Sequence, residues 1–210
     1  MDEKIQFYSE KTRKFYQLFP TKTISTLKIS GVPMHRFATI DPLTDTQLKI
    51  KAAKPKGIVL DSCGGLGYTA IYSARLNEVE KVFCFEKDKN VIDIAKKNQA
   101  SKELFENKKI ILENKDISKA IKKFKDNFFD GVIHDPPTFK MSPELYSEDF
   151  YKDIHKVLKN NGILWHYCPN PGKLRGKDEN FKNSIKKKLI ASGFKVIYDE
   201  ISLGFICRKQ

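Results

Sequence analysis

Four short stretches carry side chains able to do chemistry, and each follows a run of apolar, strand-forming residues. The first reads Asp61-Ser62-Cys63-Gly64-Gly65-Leu66-Gly67 after Ile58-Val59-Leu60. A carboxylate ends the run, and the glycines then let the backbone turn tightly and approach a ligand closely. The second run ends in Phe85-Glu86, nineteen residues beyond Gly67 and followed by Lys87. An acid there can accept hydrogen bonds from both hydroxyls of a ribose. The third run leads to Asp116-Ile117, where the acid can accept from an adenine amino group and the isoleucine can pack on the ring. The fourth leads to His134-Asp135-Pro136-Pro137-Thr138-Phe139. Two prolines after a carboxylate force an extended, rigid loop whose carbonyls face outward. Such a loop suits an attacking amine, because Asp135 and the Pro136 carbonyl can accept its two N–H bonds and orient its lone pair, while Phe139 can stack on an acceptor ring. Each feature alone has a plain alternative: a tight turn, a solvated surface acid, a core phenylalanine. Together at successive run ends they describe a nucleoside site beside a reacting group.

The elements that must position these groups alternate. Strands are expected at 57–61, 81–85, 109–113, 131–135 and 162–167, with helices at about 68–76, 90–97, 118–125 and 148–158 between them. Apolar strands alternating with helices imply a parallel sheet covered on both faces. A helix at 180–191 and strands at 195–199 and 201–207, separated by Glu200, fit a C-terminal antiparallel hairpin. Before the series, residues 1–22 read as an amphipathic helix with Ile5, Tyr8, Phe15, Leu18 and Phe19 on its apolar face, ended by Pro20. Residues 24–51 read as short β-like runs broken by Gly31-Val32-Pro33 and Asp41-Pro42. The expected fold is α/β: a Rossmann-like, doubly wound, mostly parallel sheet over 55–210, with a C-terminal antiparallel hairpin and a small helix and β-hairpin appendage over 1–54.

Composition sets outer bounds. The 210 residues carry 39 Lys plus Arg against 26 Asp plus Glu, a net charge of +13, and 40% of residues are hydrophobic. That is enough for one cored domain, and the charge is of the kind that attracts polyanions. No apolar run of membrane-spanning length occurs, and Met1-Asp2-Glu3-Lys4 lacks the start of a signal peptide, so the expectation is a cytoplasmic protein with no membrane partner. Cys63, Cys84, Cys168 and Cys207 are scattered and none forms a Cys-x-x-Cys pair, so no metal site is expected.

Over residues 57–207 the sequence resembles the class I S-adenosyl-L-methionine (SAM) dependent methyltransferases. The resemblance implies that Asp61 and the Gly65-Leu66-Gly67 backbone line the methionine and ribose part of SAM, that Glu86 binds the ribose hydroxyls, that Asp116 and Ile117 hold adenine, and that Lys87 and Asp135 also belong to the cofactor site. Cys63 stands where that family often has its first glycine, and Thr138 stands where amino-methylating enzymes have an aromatic residue. A second resemblance spans nearly the whole chain. Ser30-Gly31-Val32-Pro33-Met34-His35-Arg36, Asp45-Thr46, Glu144-Leu145-Tyr146-Ser147 and His166-Tyr167 with Asn170-Pro171-Gly172 look like an archaeal family of predicted methyltransferases related to spermidine-synthase-like proteins. It implies that His35, Tyr146, His166 and Tyr167 converge on the acceptor.

Three functions follow as expectations. The first is a SAM-dependent methyltransferase acting on a nitrogen of RNA through Asp135, Pro136 and Phe139, with the basic segment 173–188 guiding the phosphate backbone. The second is an aminopropyltransferase that uses decarboxylated SAM and a polyamine. The third is a nucleic-acid-binding module without catalysis. Cys168, at the end of the fifth strand, is a candidate nucleophile with no neighbour in the sequence to activate it.

Overall fold

A computed structural model of the chain describes residues 4–169 and 177–210. An N-terminal four-stranded antiparallel sheet runs β1 (Gln6–Ser9), β2 (Lys14–Phe19), β3 (Thr26–Ile29) and β4 (Val32–Pro33). Helix α1 (Pro42–Ala53) follows. The main domain continues as β5 (Gly57–Asp61), α2 (Tyr68–Ala74), β6 (Val79–Phe85), α3 (Lys89–Lys97), α4 (Lys102–Glu106), β7 (Ile110–Glu113), α5 (Ile117–Ala120), β8 (Phe129–His134), α6 (Glu148–Val157), β9 (Leu158–Tyr167), α7 (Lys177–Ala191), β10 (Phe194–Asp199) and β11 (Gly204–Lys209). Its seven strands lie in the order β10-β11-β9-β8-β5-β6-β7. The five from β9 to β7 are parallel, and β11 and β10 pair antiparallel at one edge. This is the doubly wound sheet with a terminal hairpin that the alternation implies.

Successive residues of the inner strands point to opposite faces, and each face has its own core. Leu60, Val132 and Leu164 pack with Phe150, Tyr151, Ile185 and Leu189 beneath α6 and α7. Val59, Ile133 and Trp165 pack with Ile50, Ile71 and Ile94 beneath α1, α2 and α3. The N-terminal sheet covers this second face through Tyr16 and Leu27.

Three expectations change. Residues 6–19 form the β1–β2 hairpin instead of a helix. Phe7 lies opposite Tyr16 with their rings stacked at 5.3 Å, and Arg13 turns the chain with φ 52°. Its inward residues, Tyr16 and Leu18, follow the period of two, which the helical pattern misses. Asp41-Pro42 is a helix start rather than a turn between strands: the Asp41 side chain accepts from Thr44 N–H at 3.0 Å, and proline opens α1. At the C-terminus the hairpin turn is longer than Glu200 alone. Asp199 accepts from the Ser202 N–H and hydroxyl, and β11 begins at Gly204, where a Cβ would strike the Trp165 indole nitrogen.

Polar contacts at Tyr16 dock the hairpin on α3, where Asn90 Nδ2 donates to the Tyr16 hydroxyl at 3.4 Å. The fully buried Tyr16 donates its hydroxyl to Asp88 Oδ2 at 2.5 Å, and Asp88 also caps α3. A hydrogen bond to a charged group contributes about 1.5–3 kcal/mol. Tyr16→Phe should therefore lower the unfolding free energy by roughly that amount in urea titrations while leaving the secondary-structure content unchanged.

Candidate functional site

The chain builds β5, β6 and β7 outward in one direction and returns to place β8 on the other side of β5. Ligands of open α/β sheets bind in the crevice at such a reversal, outside the carboxyl ends of the strands. Here that crevice lies between the loop after Asp61 and the loop after His134. It opens into a cavity of about 590 Å³. One end is lined by Gly64, Gly65, Glu86, Asp116 and Ile117, the other by Asp135, Pro136, Phe139, Tyr146 and Tyr167. Met34 and His35, from the segment after β4, also line it.

At the first end, Gly65 adopts φ 54°, and a Cβ there would strike the Met34 sulfur. Its N–H donates to Glu86 Oε2 at 3.0 Å, and Asp88 N–H donates to Oε1 at 2.7 Å. Each carboxylate oxygen keeps a lone pair for a further donor. Burial pushes the Glu86 carboxyl up to about 7, opposed by those N–H bonds. Asp116 caps α5 through Ser118 and faces Lys87 at 3.6 Å, and Lys87 also reaches Glu144 at 3.4 Å. Burial raises the Asp116 carboxyl, but the Ser118 bonds and Lys87 leave it below its usual range. The buried Ile117 supplies an apolar floor. Two acids at successive strand ends over an apolar floor form a set of hydrogen-bond acceptors that fits the hydroxyls and amino group of a purine nucleoside.

At the other end, Asp135 Oδ2 meets Lys49 Nζ at 2.6 Å. Lys49, on α1, also meets Asp45 one turn earlier at 2.7 Å, and Asp45 in turn takes the Arg36 guanidinium. Burial raises the Asp135 carboxyl, and Lys49 opposes it. Lys49 is raised, the two carboxylates outweighing its own burial. Tyr146 donates its hydroxyl to the Pro137 carbonyl at 2.8 Å, which braces the double-proline loop. Phe139 is 45% exposed and packs edge-on to Tyr146 and Phe181, so it forms the rim of the cavity and not the core.

Not every residue singled out by the sequence reaches the cavity. His166 lies behind its wall: fully buried, it pairs Nε2 with the Tyr151 hydroxyl at 2.8 Å and Nδ1 with the Tyr167 carbonyl at 2.7 Å. Burial pushes it down to about 4, so it is a neutral structural group. His35 does line the cavity, stacked on Tyr68 and bonded to Thr26, and burial with Lys49 nearby pushes it down to about 3. Asp61 stays beneath the loop, accepting from the Thr69 hydroxyl at 2.6 Å, with burial pushing it up to about 6. Leu66 joins the core beside α2, and Gly67 lets Leu104 approach. Cys168 is buried, and its thiol is pushed up to about 12, which removes the thiolate that a nucleophile needs.

Residues 170–176, and with them Asn170, Lys173 and Arg175, lie outside the described residues. On α7, Lys186 and Lys187 are exposed, whereas Lys182 sits over the Tyr198 ring and Lys188 donates to the Tyr146 carbonyl. Sequence reasoning gave no role to Lys49. Its only signal was an acid and a base four residues apart after a helix-starting Asp-Pro.

The Spermine/spermidine synthase domain family matches residues 50–189. An uncharacterized protein of Methanocaldococcus jannaschii is 46% identical over 93% of this chain and 67% of its own length. A polyamine aminopropyltransferase of Prochlorococcus marinus is 32% identical over 64% of this chain, which spans about half (47%) of that relative. The spermidine synthase of Thermotoga maritima superposes with a TM-score of 0.69 at 18% identity, covering 99% of this chain and 73% of that one. No helix among the described residues is long and apolar enough to cross a membrane. The archaeal likeness and the spermidine-synthase-like fold expected from the motifs are present, whereas membership of a methyltransferase family is not among these findings. The chain belongs to the spermine/spermidine synthase domain family.

Proposed function

We propose that the protein transfers an aminopropyl group from decarboxylated SAM to the nitrogen of a small amine. This reverses the order expected from the sequence, where methyl transfer to RNA stood first. The observation that carries it is the acceptor end of the cavity: one carboxylate among aromatic walls, with the two cations beside it, Arg36 and Lys49, already spent on Asp45 and Asp135. SAM brings a methionine carboxylate that needs a cation or a cluster of N–H donors; Lys49 is held by two carboxylates and the Arg36 Nε by Asp45, which weakens both for that task. Decarboxylated SAM makes no such demand. Aromatic faces and a carboxylate together suit an amine. Kinship with aminopropyltransferases points the same way.

When bound, the donor supplies a sulfonium whose C–S bond breaks toward sulfur as the new C–N bond forms. The chain's own residues would hold and orient the reactants. Glu86 takes the ribose hydroxyls, Asp116 and Ile117 take adenine, and Asp135 with the Pro136 carbonyl accept the N–H bonds of the incoming amine so that its lone pair faces the sulfonium carbon. Pro136 and Pro137 fix that geometry, and Tyr146 holds the Pro137 carbonyl in place.

A second reading, methyl transfer from SAM to an RNA nitrogen, draws on the exposed Phe139 at the rim and on Lys186 and Lys187 on α7, the helix that supplies Phe181 to the same rim. Incubating the protein separately with SAM and decarboxylated SAM, each with putrescine, spermidine and RNA, distinguishes the two. Aminopropylated amines are expected, and methylated RNA without polyamine products would reverse the assignment.

Two further outcomes follow. Asp135→Asn should cut turnover by roughly 10²- to 10⁴-fold, the usual worth of a positioned acid or base, with nucleoside affinity changed less than about threefold. Because the ribose hydroxyls would donate to ionised Glu86, calorimetric affinity for the nucleoside should be highest above pH 7 and fall as pH drops through about 7. In Glu86→Gln that pH dependence should disappear.

A further inference from the structure

The polar groups buried beside the acceptor end form a chain of alternating charge that crosses three separate elements. Arg36 comes from the segment between β4 and α1, Asp45 and Lys49 from one face of α1, and Asp135 from the loop after β8. Exposure of the four side chains runs 14%, 0%, 3% and 21%, so Asp135 is the member that meets the cavity most openly. Its Oδ2 is taken by Lys49 at 2.6 Å. Nothing in the nucleoside cradle requires a buried lysine here, and burying an ammonium costs several kcal/mol unless partners compensate. Two carboxylates, at 2.6 and 2.7 Å, do compensate.

The chemistry of amine alkylation gives this arrangement a use. The attacking nitrogen must be neutral, yet amines in water are mostly ammonium ions. A lone buried carboxylate would either take up a proton itself or hold the amine as an ammonium ion, and both states block attack. A cation fixed on one oxygen opposes both, because it favours the ionised carboxylate and weakens its pull on an added positive charge. We propose that Lys49 is the positioning residue of the acceptor site: clamped between Asp45 and Asp135, it keeps Asp135 an ionised hydrogen-bond acceptor while preventing it from trapping the incoming amine as ammonium. The inference rests on the amine-alkylation reading and concerns this chain's own residues.

The groups facing Asp135 are Lys49 and Asp45 from α1, Arg36 from the segment before α1, Asp61 and Cys63 at the end of β5, Tyr146 from the turn before α6, and Tyr167 at the end of β9. Burial raises Cys63, Tyr146 and Tyr167, which stay uncharged at neutral pH. Asp61, pushed up to about 6, loses its charge only below that. Among these groups Lys49 and Arg36 are the positive charges, and Lys49 is the one in contact with Asp135.

Two variants with opposite expected signs test this. Lys49→Met removes the cation, so the acidic limb of the kcat against pH profile should move to higher pH by about one unit or more. Asp45→Asn removes the competing carboxylate and leaves Lys49 to Asp135 alone, so the limb should move to lower pH. Nucleoside affinity should stay within about threefold in both, and Lys49→Arg should recover most of the wild-type profile. Carboxyl-carbon NMR titration of Asp135 in the resting protein should show the same opposite shifts. Unmoved profiles and titrations, or shifts of the same sign in both variants, would overturn the role. If the wild type alkylates no amine, the functional reading fails on that result, while the NMR titration still decides whether Lys49 governs Asp135.

Discussion

An ammonium group with 3% of its side chain exposed, gripped by two carboxylates, is the constraint around which the acceptor half of this molecule is arranged. Desolvating Lys49, Asp45 and Asp135 costs several kcal/mol per ion, and the attraction between them repays that only while the geometry is held. The holding parts are distributed. Helix α1 keeps Asp45 and Lys49 one turn apart, Arg36 closes the outer side of Asp45, and the rigidity of Pro136-Pro137 keeps Asp135 from swinging away. Displacing any one of the three takes a partner from a buried charge. The segment between β4 and α1, helix α1 and the β8 loop are therefore coupled electrostatically, and that segment cannot shift without disturbing the group beneath it.

Behind that ionic layer the wall is neutral. His134 contacts Ser62 at 2.7 Å and the Leu145 carbonyl at 3.0 Å, and its ring meets His166 at 4.7 Å. Burial holds His134 far below its usual range, so two imidazoles can stand edge to face without repulsion. They tie β8 and β9 to the turn before α6 and to α6 itself. In consequence Tyr146 and Tyr167, which face the cavity, are anchored from behind by groups that take no charge at neutral pH.

The parallel sheet and the acids at its strand ends were legible because both follow short-range rules: apolar runs of strand length, a glycine turn, and carboxylates at the run ends. Glu86, Asp116, Asp135 and Ile117 reach one cavity as that spacing implies. The failures have physical causes. The β1–β2 hairpin was misread because Ile5, Tyr8, Phe15 and Leu18 satisfy a helical stripe, whereas burial selects Phe7, Tyr16 and Leu18, which follow the strand period. His166 sits beside Tyr167 in sequence, but neighbouring strand residues point to opposite faces, so only one of the two reaches the cavity. Lys49 was invisible for a different reason: its partner lies 86 residues away, and no local pattern predicts a contact made by folding α1 over the end of β8.

The net charge of +13 has a different place in this picture from the one composition suggests. Five acids and five bases line the described cavity wall, so the site itself is balanced and the surplus lies elsewhere. Exposed charges act over roughly 8–10 Å at physiological salt, and the exposed Lys186 and Lys187 shape the approach to the rim more than the reaction behind it. Discrimination inside the cavity then depends on which charges are already paired. A ligand carboxylate meets an Arg36 and a Lys49 that are engaged, whereas an amine meets Asp135, whose second oxygen has no partner among the described residues. A basic protein can in this way hold a site that suits a neutral amine better than an anion, because local pairing outweighs net charge at contact distance.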